Sequence, residues 1–575
     1  MRSGKGGSWF SLVIGLVVFM LVASSARADR YVVAPGTPGA NPESPYDTWA
    51  RAATNIQVAV DAATPGETIW VSNGTYKATT GAGTVLDGIT NMVHIATNVT
   101  LRSVNGPEVT ILDGGYPDIT NRVISLDRNA ALSGFTVVNG RADRGGGIMV
   151  GLHGGMVSNC IVCSNICDSS LNEYGGGGIR SVTTTGYTGS FYNCSIYNNT
   201  AISNEGGGLW ARGTIVMRDC KLYANTSSAS GGGCWLRDTL DVSQCVFSNN
   251  TANGNGGGIF MRTYKTALFD DCHIVNNSSA GSGAGLVICE GGAGTIVSNC
   301  VISGNTGGSG AGCYLRPYQY TQPTKIVNCK IINNKSSKWG GGVCSEVGTV
   351  VFMDCLMASN SAAEYGGGFY CTHSTTNVAE IINCVIRDNT VNTKDGGAGA
   401  WFRGPSRMVG CLVVSNIITT NDSNSVGAGL RITSDGVICE NNTVVGNVVS
   451  NGTGGGIHMT SVGQVNNTII YGNTSRAGLN QDWWATAGTF SNCCTADITG
   501  MTGAGNIAAD PEFADTAAGN YHLTVASPCV NAGVNQDWMI AGVDKDGRPR
   551  LDKFVKQVDI GCYEHHFQGA MFLLK

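Results

Sequence analysis

Charge is scarce in this chain: Asp, Glu, Lys and Arg make up 13% of 575 residues, and 40 acidic against 35 basic side chains leave a net charge of −5. That is roughly half the usual charged share of a soluble globular protein. It also removes the electrostatic pull by which a basic chain holds nucleic acid, so no nucleic-acid partner is expected. Proline is sparse at 13, and with 42% hydrophobic content neither disorder nor a collagen-like repeat fits. The apolar run over residues 9–23 falls short of the ~20 residues a spanning helix needs, and no later stretch comes closer, so no transmembrane helix is expected in the mature chain. None of the glycine clusters leads into the Lys-Ser/Thr of a phosphate loop or the Asp spacing of calcium-binding glycine repeats, so nothing supports nucleotide binding.

What the chain does have is glycine, 83 residues, and cysteine, 22 residues, placed by a repeat. The segment GGGLWARGTIVMRDCKLYAN at 206–225 returns with the same anchors from Gly231, Gly256, Gly310 and Gly366. A unit of ~25–30 residues with short β-branched runs and no helical stretch cannot bury a core alone, but stacked copies can. Cys160, Cys194, Cys220, Cys245, Cys272, Cys300, Cys329, Cys355, Cys384 and Cys411 hold one repeat position about 27 residues apart. They extend along the stack instead of converging, which marks a column of small buried side chains, with no metal site expected, the C-x-x-C-x-x-x-C run at Cys160, Cys163 and Cys167 included. The Asn positions that follow (Asn165, Asn225, Asn250, Asn277, Asn305, Asn334 and Asn360) sit where each coil turns. There Asn tolerates left-handed geometry and can bond its neighbour in the next coil.

The ends differ from the middle. Residues 1–28 have the layout of a secretory signal: Arg2 and Lys5, the apolar run, then Ala26-Arg27-Ala28. Residues 29–92 read as a cap with first strands and one amphipathic helix carrying Ile56, Ala59, Val60 and Ala63, stopped by Pro65-Gly66. Residues 93–492 carry the stacked coils, and 493–575 form a terminal region.

Three stretches carry a resemblance. The glycine cluster, the N-C-x-Φ-x-x-N element and the opening RYVVAPGTPGA…TNIQVAVDAATPGETIWVSNGTY resemble the right-handed parallel β-helix superfamily of pectate-lyase-like proteins. The repeats also resemble those of chlamydial polymorphic outer-membrane proteins. The tail DPEFADTAAGNYHLTVASPCVNAG…DKDGRPRLDKFVKQVDIGCYE is similar to the terminal region of bacterial choice-of-anchor Q surface proteins. The expected fold is therefore all-β: a right-handed parallel β-helix solenoid of about a dozen coils with an N-terminal capping helix. The expected location is outside the cell, on the cell surface or the outer envelope.

Alternation divides each glycine-led strand into two sides. Leu209 and Ala211, Cys234 and Leu236, Ile259 and Met261, Cys313 and Leu315, and Ala400 and Phe402 are expected to point inward. Trp210 and Arg212, Trp235 and Arg237, Phe260 and Arg262, Tyr314 and Arg316, and Trp401 and Arg403 are expected to point out as an exposed aromatic/Arg stripe, since a row of arginines cannot be buried unpaired. Unit charges ~5 Å apart repel by roughly 1 kcal/mol even in water. Asp238, Asp270 and Asp271, or an anionic ligand, should compensate them. Aromatic faces suit sugar rings and guanidinium forks suit carboxylates.

The leading expectation is a protein that binds an extended acidic polysaccharide or a cell-surface partner along this stripe. A polysaccharide lyase or glycosidase in the same groove is the enzyme alternative, and a purely structural surface rod is the third. No cofactor is expected; the resemblance implies calcium only for a lyase. No catalytic constellation is legible. Asp219 and Asp271 share a repeat position about 9.6 Å apart by strand spacing, near the limit for an inverting carboxylate pair, but Asn and Gln fill that position in other copies, as at a polar turn. His273 and His373 occupy different repeat positions. Asp544 and Asp546 before Gly547 read as a turn more than as a calcium loop.

Overall fold

The computed structural model describes residues 28–169, 175–290, 294–318, 322–372, 378–475, 482–551 and 556–566. The expected signal segment, but for Ala28, and His373 lie outside them.

The described chain is an all-β parallel solenoid of about 14 turns, with one α-helix at its start. That helix, α1 (Ile56–Ala62), buries Ile56, Ala59 and Val60, and Asn55 caps it by accepting the Val58 N–H at 3.3 Å. It lies beside the opening strands Arg30–Val32 and Thr68–Val71, which pair in parallel and start the stack.

One coil shows how the repeat folds. In Leu209–Arg218 a single strand supplies the first face, an outward corner at Gly213, and the second face. Lys221–Tyr223 forms the third face and Thr226–Ser227 a short fourth. Each strand pairs in register with its copy in the next coil: Leu209 with Cys234, Trp210 with Trp235, Ala211 with Leu236 and Arg212 with Arg237. The inward set named from alternation is fully buried at every position. One column of it runs from Val93 to Trp483 as a continuous apolar core.

The two sharp turns on either side of the third face use left-handed residues. Asp219 (φ 55) and Asp271 (φ 50) precede ladder cysteines, and Ala224 (φ 53), Asn249 (φ 54) and Asn276 (φ 56) precede ladder asparagines. Asp219 and Asp271 are thus corner residues, as their exchange with Asn and Gln implies. The ladder asparagines themselves are not left-handed, contrary to expectation. The strained position is one residue earlier, and each Asn side chain turns into the coil, where Asn225, Asn250 and Asn305 are 0% exposed.

There they form one hydrogen-bonded chain. Asn225 donates both its backbone N–H (3.0 Å) and its Nδ2 (3.1 Å) to Asn250 Oδ1, and its Nδ2 also donates to Ile196 O (2.9 Å). The pattern runs from Asn165 to Asn473 and ends on Asp482, whose Oδ1 accepts from Asn473 N (2.8 Å) and Nδ2 (3.1 Å). A carboxylate only accepts, which suits the last rung, where no further coil offers an acceptor. The ladder also explains the glycine clusters. A Cβ on Gly208 would sit 2.6 Å from Gly233 O and 2.9 Å from Asn225 Nδ2, while Gly206 needs its φ of 69° for the turn.

The cysteine column packs in the same core as buried free thiols; of the other cysteines, only Cys289, in register with Arg262 and Arg316 on the outer side, is half-buried. Sγ of Cys220 donates to Arg218 O at 3.3 Å, and the Cys272 N–H donates to Cys300 Sγ at 3.4 Å. Burial pushes the Cys160 thiol up to about 11 and that of Cys493 to about 12, away from the reactive thiolate. Alkylation of denatured, unreduced protein is expected to label all 22 cysteines, and of native protein at neutral pH almost none. Mass spectrometry showing bridged pairs would contradict this.

After the last coil the chain folds back along the outside of the solenoid as a clasp. A hairpin, Phe513–Asp515 with Asn520–Leu523, and the following segment cover Leu412, Val414 and Ile469 with Tyr521, Leu523, Ile560 and Cys562. Asn441 Nδ2 donates to Asp559 O (3.0 Å), Asn467 Nδ2 to Val534 O (2.9 Å), and Cys562 N to Thr443 Oγ1 (3.1 Å). Beneath it the buried Arg550 binds Glu564 Oε1 at 2.9 Å.

Candidate functional site

The outward side of the first face carries two columns. Arg180, Trp210, Trp235, Phe260, Val287, Tyr314, Cys344, Tyr370, Trp401, Arg431, His458 and Trp484 stand in the first, one per coil. Arg212, Arg237, Arg262, Cys289 and Arg316 stand in the second, two residues further on.

The expectation of an exposed aromatic platform is corrected here. Trp210 is 1% exposed, Trp235 2%, Trp401 5% and Tyr314 9%; Phe260 is half-buried. They lie outside the solenoid core but under cover supplied by the same chain. Trp210 and Trp235 stack at 4.8 Å with planes 1° apart, and the Arg180 guanidinium lies 4.1 Å from the Trp210 ring. Trp210 Nε1 donates to Glu205 Oε2 at 3.3 Å. Farther along, Trp339 and Tyr365, each just ahead of a glycine cluster, pack on Tyr370 and Trp401 at 5.6 and 4.5 Å. Strand alternation shows only that a residue leaves the core; the connections between coils decide whether water reaches it. The aromatic column is a second, external apolar cluster that stiffens the first face.

The arginines behave otherwise. Side chains of Arg212, Arg262 and Arg316 keep 37 to 46% of their surface. Carboxylates on neighbouring coils relieve their mutual repulsion: Asp238 lies 3.9 Å from Arg212, Glu290 forks onto Arg262 at 2.8 and 2.9 Å, and Glu346 lies 3.4 Å from Arg316. Of the carboxylates expected to do this, Asp238 does; Asp270 binds Ser298 and Asn299 instead, and Asp271 is a corner residue. The Arg262 guanidinium holds the Glu290 carboxyl below its usual range. Arg237 lies over the Tyr264 ring at 5.1 Å and Arg316 over Tyr318 at 5.3 Å. Arg403 Nη1 donates to the Tyr370 hydroxyl at 3.2 Å.

Corner length shapes this row. Coils 209–218 and 234–243 pass from first to second face in one unbroken strand, whereas the flanking coils turn this corner with loops of five residues at 183–187 and four at 263–266. Arg212, Arg237 and Asp238 therefore sit on a low stretch between raised corners.

Two corner residues were not legible in the sequence. Asp127 accepts from the His153 N–H at 2.8 Å and approaches His153 Nδ1 at 3.1 and 3.2 Å. Tyr187 meets the His153 ring edge-on at 5.1 Å. Burial would raise the Asp127 carboxyl, but the hydrogen bonds from His153 and Arg128 outweigh it and hold the group below its ordinary value. His153 Nε2 and the Tyr187 hydroxyl have no hydrogen-bond partner among the described residues. Nothing in the repeat announces this group, because corner loops are where the copies differ. Asp544 Oδ1 accepts from Asp546 N (2.9 Å) and Arg548 N (2.8 Å), which makes it a turn.

Residues 146–316 match the family model of the right handed beta helix region, in agreement with the sense expected for the coils. Among solved structures, pectate lyase Pel9A is similar at 13% identity with a TM-score of 0.27, over 94% of this chain and 98% of that one. The A-module of the Azotobacter vinelandii mannuronan C-5 epimerase AlgE6 is similar at 15% identity with a TM-score of 0.32, over 80% and 98%. The AlgE4 A-module follows at 14% and 0.31, over 65% and 92%. No curated protein matches the sequence.

Proposed function

We propose that this protein binds an extended acidic polysaccharide along the arginine row, beginning at Arg212 and Arg237. The observation that carries the reading is the run of arginines on successive rungs: Arg212 pairs in register with Arg237 and Arg237 with Arg262, their backbones about 4.8 Å apart, and the coils of the first two have no corner loop. A guanidinium fork suits a carboxylate or sulfate, and a linear polyanion would meet the arginines of successive rungs along one line in exchange for their contacts within the chain. The buried Trp210 and Trp235 hold the strand beneath and make no contact with the ligand. Residues 1–28 and the choice-of-anchor Q-like tail support placing this protein outside the cell at a surface. No described helix is long and apolar enough to cross a membrane.

Polygalacturonate titrated by calorimetry tests the proposal. The Arg212→Ala/Arg237→Ala double variant is expected to weaken binding about 10- to 50-fold, an effect of ~1.4–2.3 kcal/mol. Binding should also fall steeply with salt. Lys221→Ala, on the third face, should leave it unchanged. No binding by the wild type, or equal binding by the double variant, would sink the reading.

A second reading, turnover of the bound chain, is favoured by the Asp127–His153 pair on the same corner. A carboxylate on Nδ1 orients an imidazole for proton transfer at Nε2. Incubation with the polymer, with and without calcium, should then give ultraviolet-absorbing unsaturated products or new reducing ends that His153→Ala abolishes. A structural rod would show neither binding nor turnover.

A further inference from the structure

Where the clasp leaves the third face it borders an open hollow of about 450 Å³. Tyr471 contributes one wall from the solenoid strand Ile469–Tyr471, and Phe513 and Tyr521 contribute others from the clasp hairpin. The Phe513 and Tyr521 rings are 5.5 Å apart at 88°, so two aromatic walls meet at a right angle. Asp510 and Glu512 complete the lining. Their segment is held in place: Asp510 Oδ1 accepts the Glu512 N–H at 2.8 Å, and Thr524 N donates to Glu512 O at 3.0 Å.

The solenoid leaves room for the hollow by a local change in its own repeat. At the left-handed position before each ladder Asn, most coils carry a side chain, as in Asn198, Ala224, Asn249 and Asn333, but the two coils beneath the hollow carry Gly446 and Gly472. A Cβ on Gly472 would meet nothing within 4 Å, and one on Gly446 would meet Ser415 Oγ at 4.0 Å.

We infer that this hollow is a binding site for an alkylammonium cation. Ring faces are electron-rich and favour a positive charge that carries its own apolar surface; two carboxylates add the counter-charge. No Lys, Arg or His lines the hollow, which disfavours an anion, and the site is separate from the arginine row. The titration of the walls agrees with a negative interior: burial, then the charge of Asp510 and Asp482, raise Tyr471, and burial with Asp388 raises Tyr521.

The ligand chemistry has two sources, a choline-like headgroup or a lysine-like primary ammonium. Saturation-transfer NMR with the full-length protein separates them, using choline, n-butylammonium and the uncharged choline isostere 3,3-dimethyl-1-butanol as probes. Choline or butylammonium is expected to bind at least tenfold more tightly than the isostere, and the tighter of the two cations names the source. Gly472→Asn installs the residue that other coils use at this position, fills the hollow without disturbing the backbone, and should weaken the cation at least tenfold. Asp510→Asn/Glu512→Gln should bring the cation down to the level of the isostere. Equal binding of cation and isostere, absence of binding, or an unchanged affinity in Gly472→Asn would each overturn the inference.

Discussion

Replacing Asn277 by alanine is expected to cost the protein about 4 kcal/mol, because four buried hydrogen bonds are lost at once. Asn277 Oδ1 accepts from Asn250 N and Nδ2, each at 3.0 Å, and its Nδ2 donates to Phe247 O at 2.9 Å and Asn305 Oδ1 at 3.1 Å. Each buried hydrogen bond is worth ~1 kcal/mol; Asn250 Nδ2 keeps Leu222 O and Asn305 Oδ1 keeps the residue-277 N–H, whereas Asn250 N is left unpaired. Asn277→Asp is a sharper probe of the same feature. It keeps the acceptor but loses both donors and aims a carboxylate at Phe247 O and Asn305 Oδ1. Asp482 avoids that conflict only by being last in the chain. Denaturant midpoints together with hydrogen exchange over residues 245–310 would measure both variants. A loss under 1 kcal/mol in Asn277→Ala would show that the ladder is dispensable.

Truncation of Glu564 is expected to free the clasp. Its Oε1 accepts from the fully buried Arg550, and its Oε2 accepts the Asp559 N–H at 2.9 Å. Hydrogen bonds to charged groups are worth ~1.5–3 kcal/mol, so Glu564→Ala should weaken the attachment of the clasp by about 3 kcal/mol. Limited proteolysis within residues 510–566 would report it. The same group gives the attachment a pH dependence. Burial raises the Glu564 carboxyl to about 8; Arg550 opposes the shift and Asp559 reinforces it. Asp559, itself raised by burial, Asp544 and His565 face the same cluster. A carboxyl raised above its unfolded value binds a proton more tightly when folded. Its stabilisation is complete below the unfolded pKa near 4.5 and disappears as pH rises through about 8. The clasp should therefore open more readily at pH 9 than at pH 6, and Glu564→Gln, neutral throughout, should flatten that difference.

The solenoid was legible because its cause is periodic. Glycine clusters, the Cys column and the Asn column repeat at one interval, and Leu209, Ala211, Cys234 and Leu236 turned inward as alternation requires. What misled was the step from outward to exposed. Trp210 and Trp401 leave the core yet are buried, by Arg180 on the neighbouring rung and by Glu205 and Tyr365 of the aperiodic connections. Arg212, Arg262 and Arg316 did stay open, because a guanidinium costs too much to desolvate fully without a matched partner. Asp127 and His153 could not be found, since they approach one another only after two differing corners are stacked. Nor does a resemblance in the tail say that it lies back against Thr443 and Asn467.

That returning tail sets an order of events. Hydrogen bonds of the Asn ladder join residues 25 to 37 apart in sequence, so coils can add one at a time to those already formed. The clasp instead closes loops of 118 and 119 residues onto Asn441 and Thr443. The extra closure entropy is only ~1.3 kcal/mol, but the docking surface does not exist until the coils carrying Leu412, Val414 and Ile469 are in place. The clasp is thus a latch that closes last, and its opening leaves each rung of the Asn ladder with its own partners.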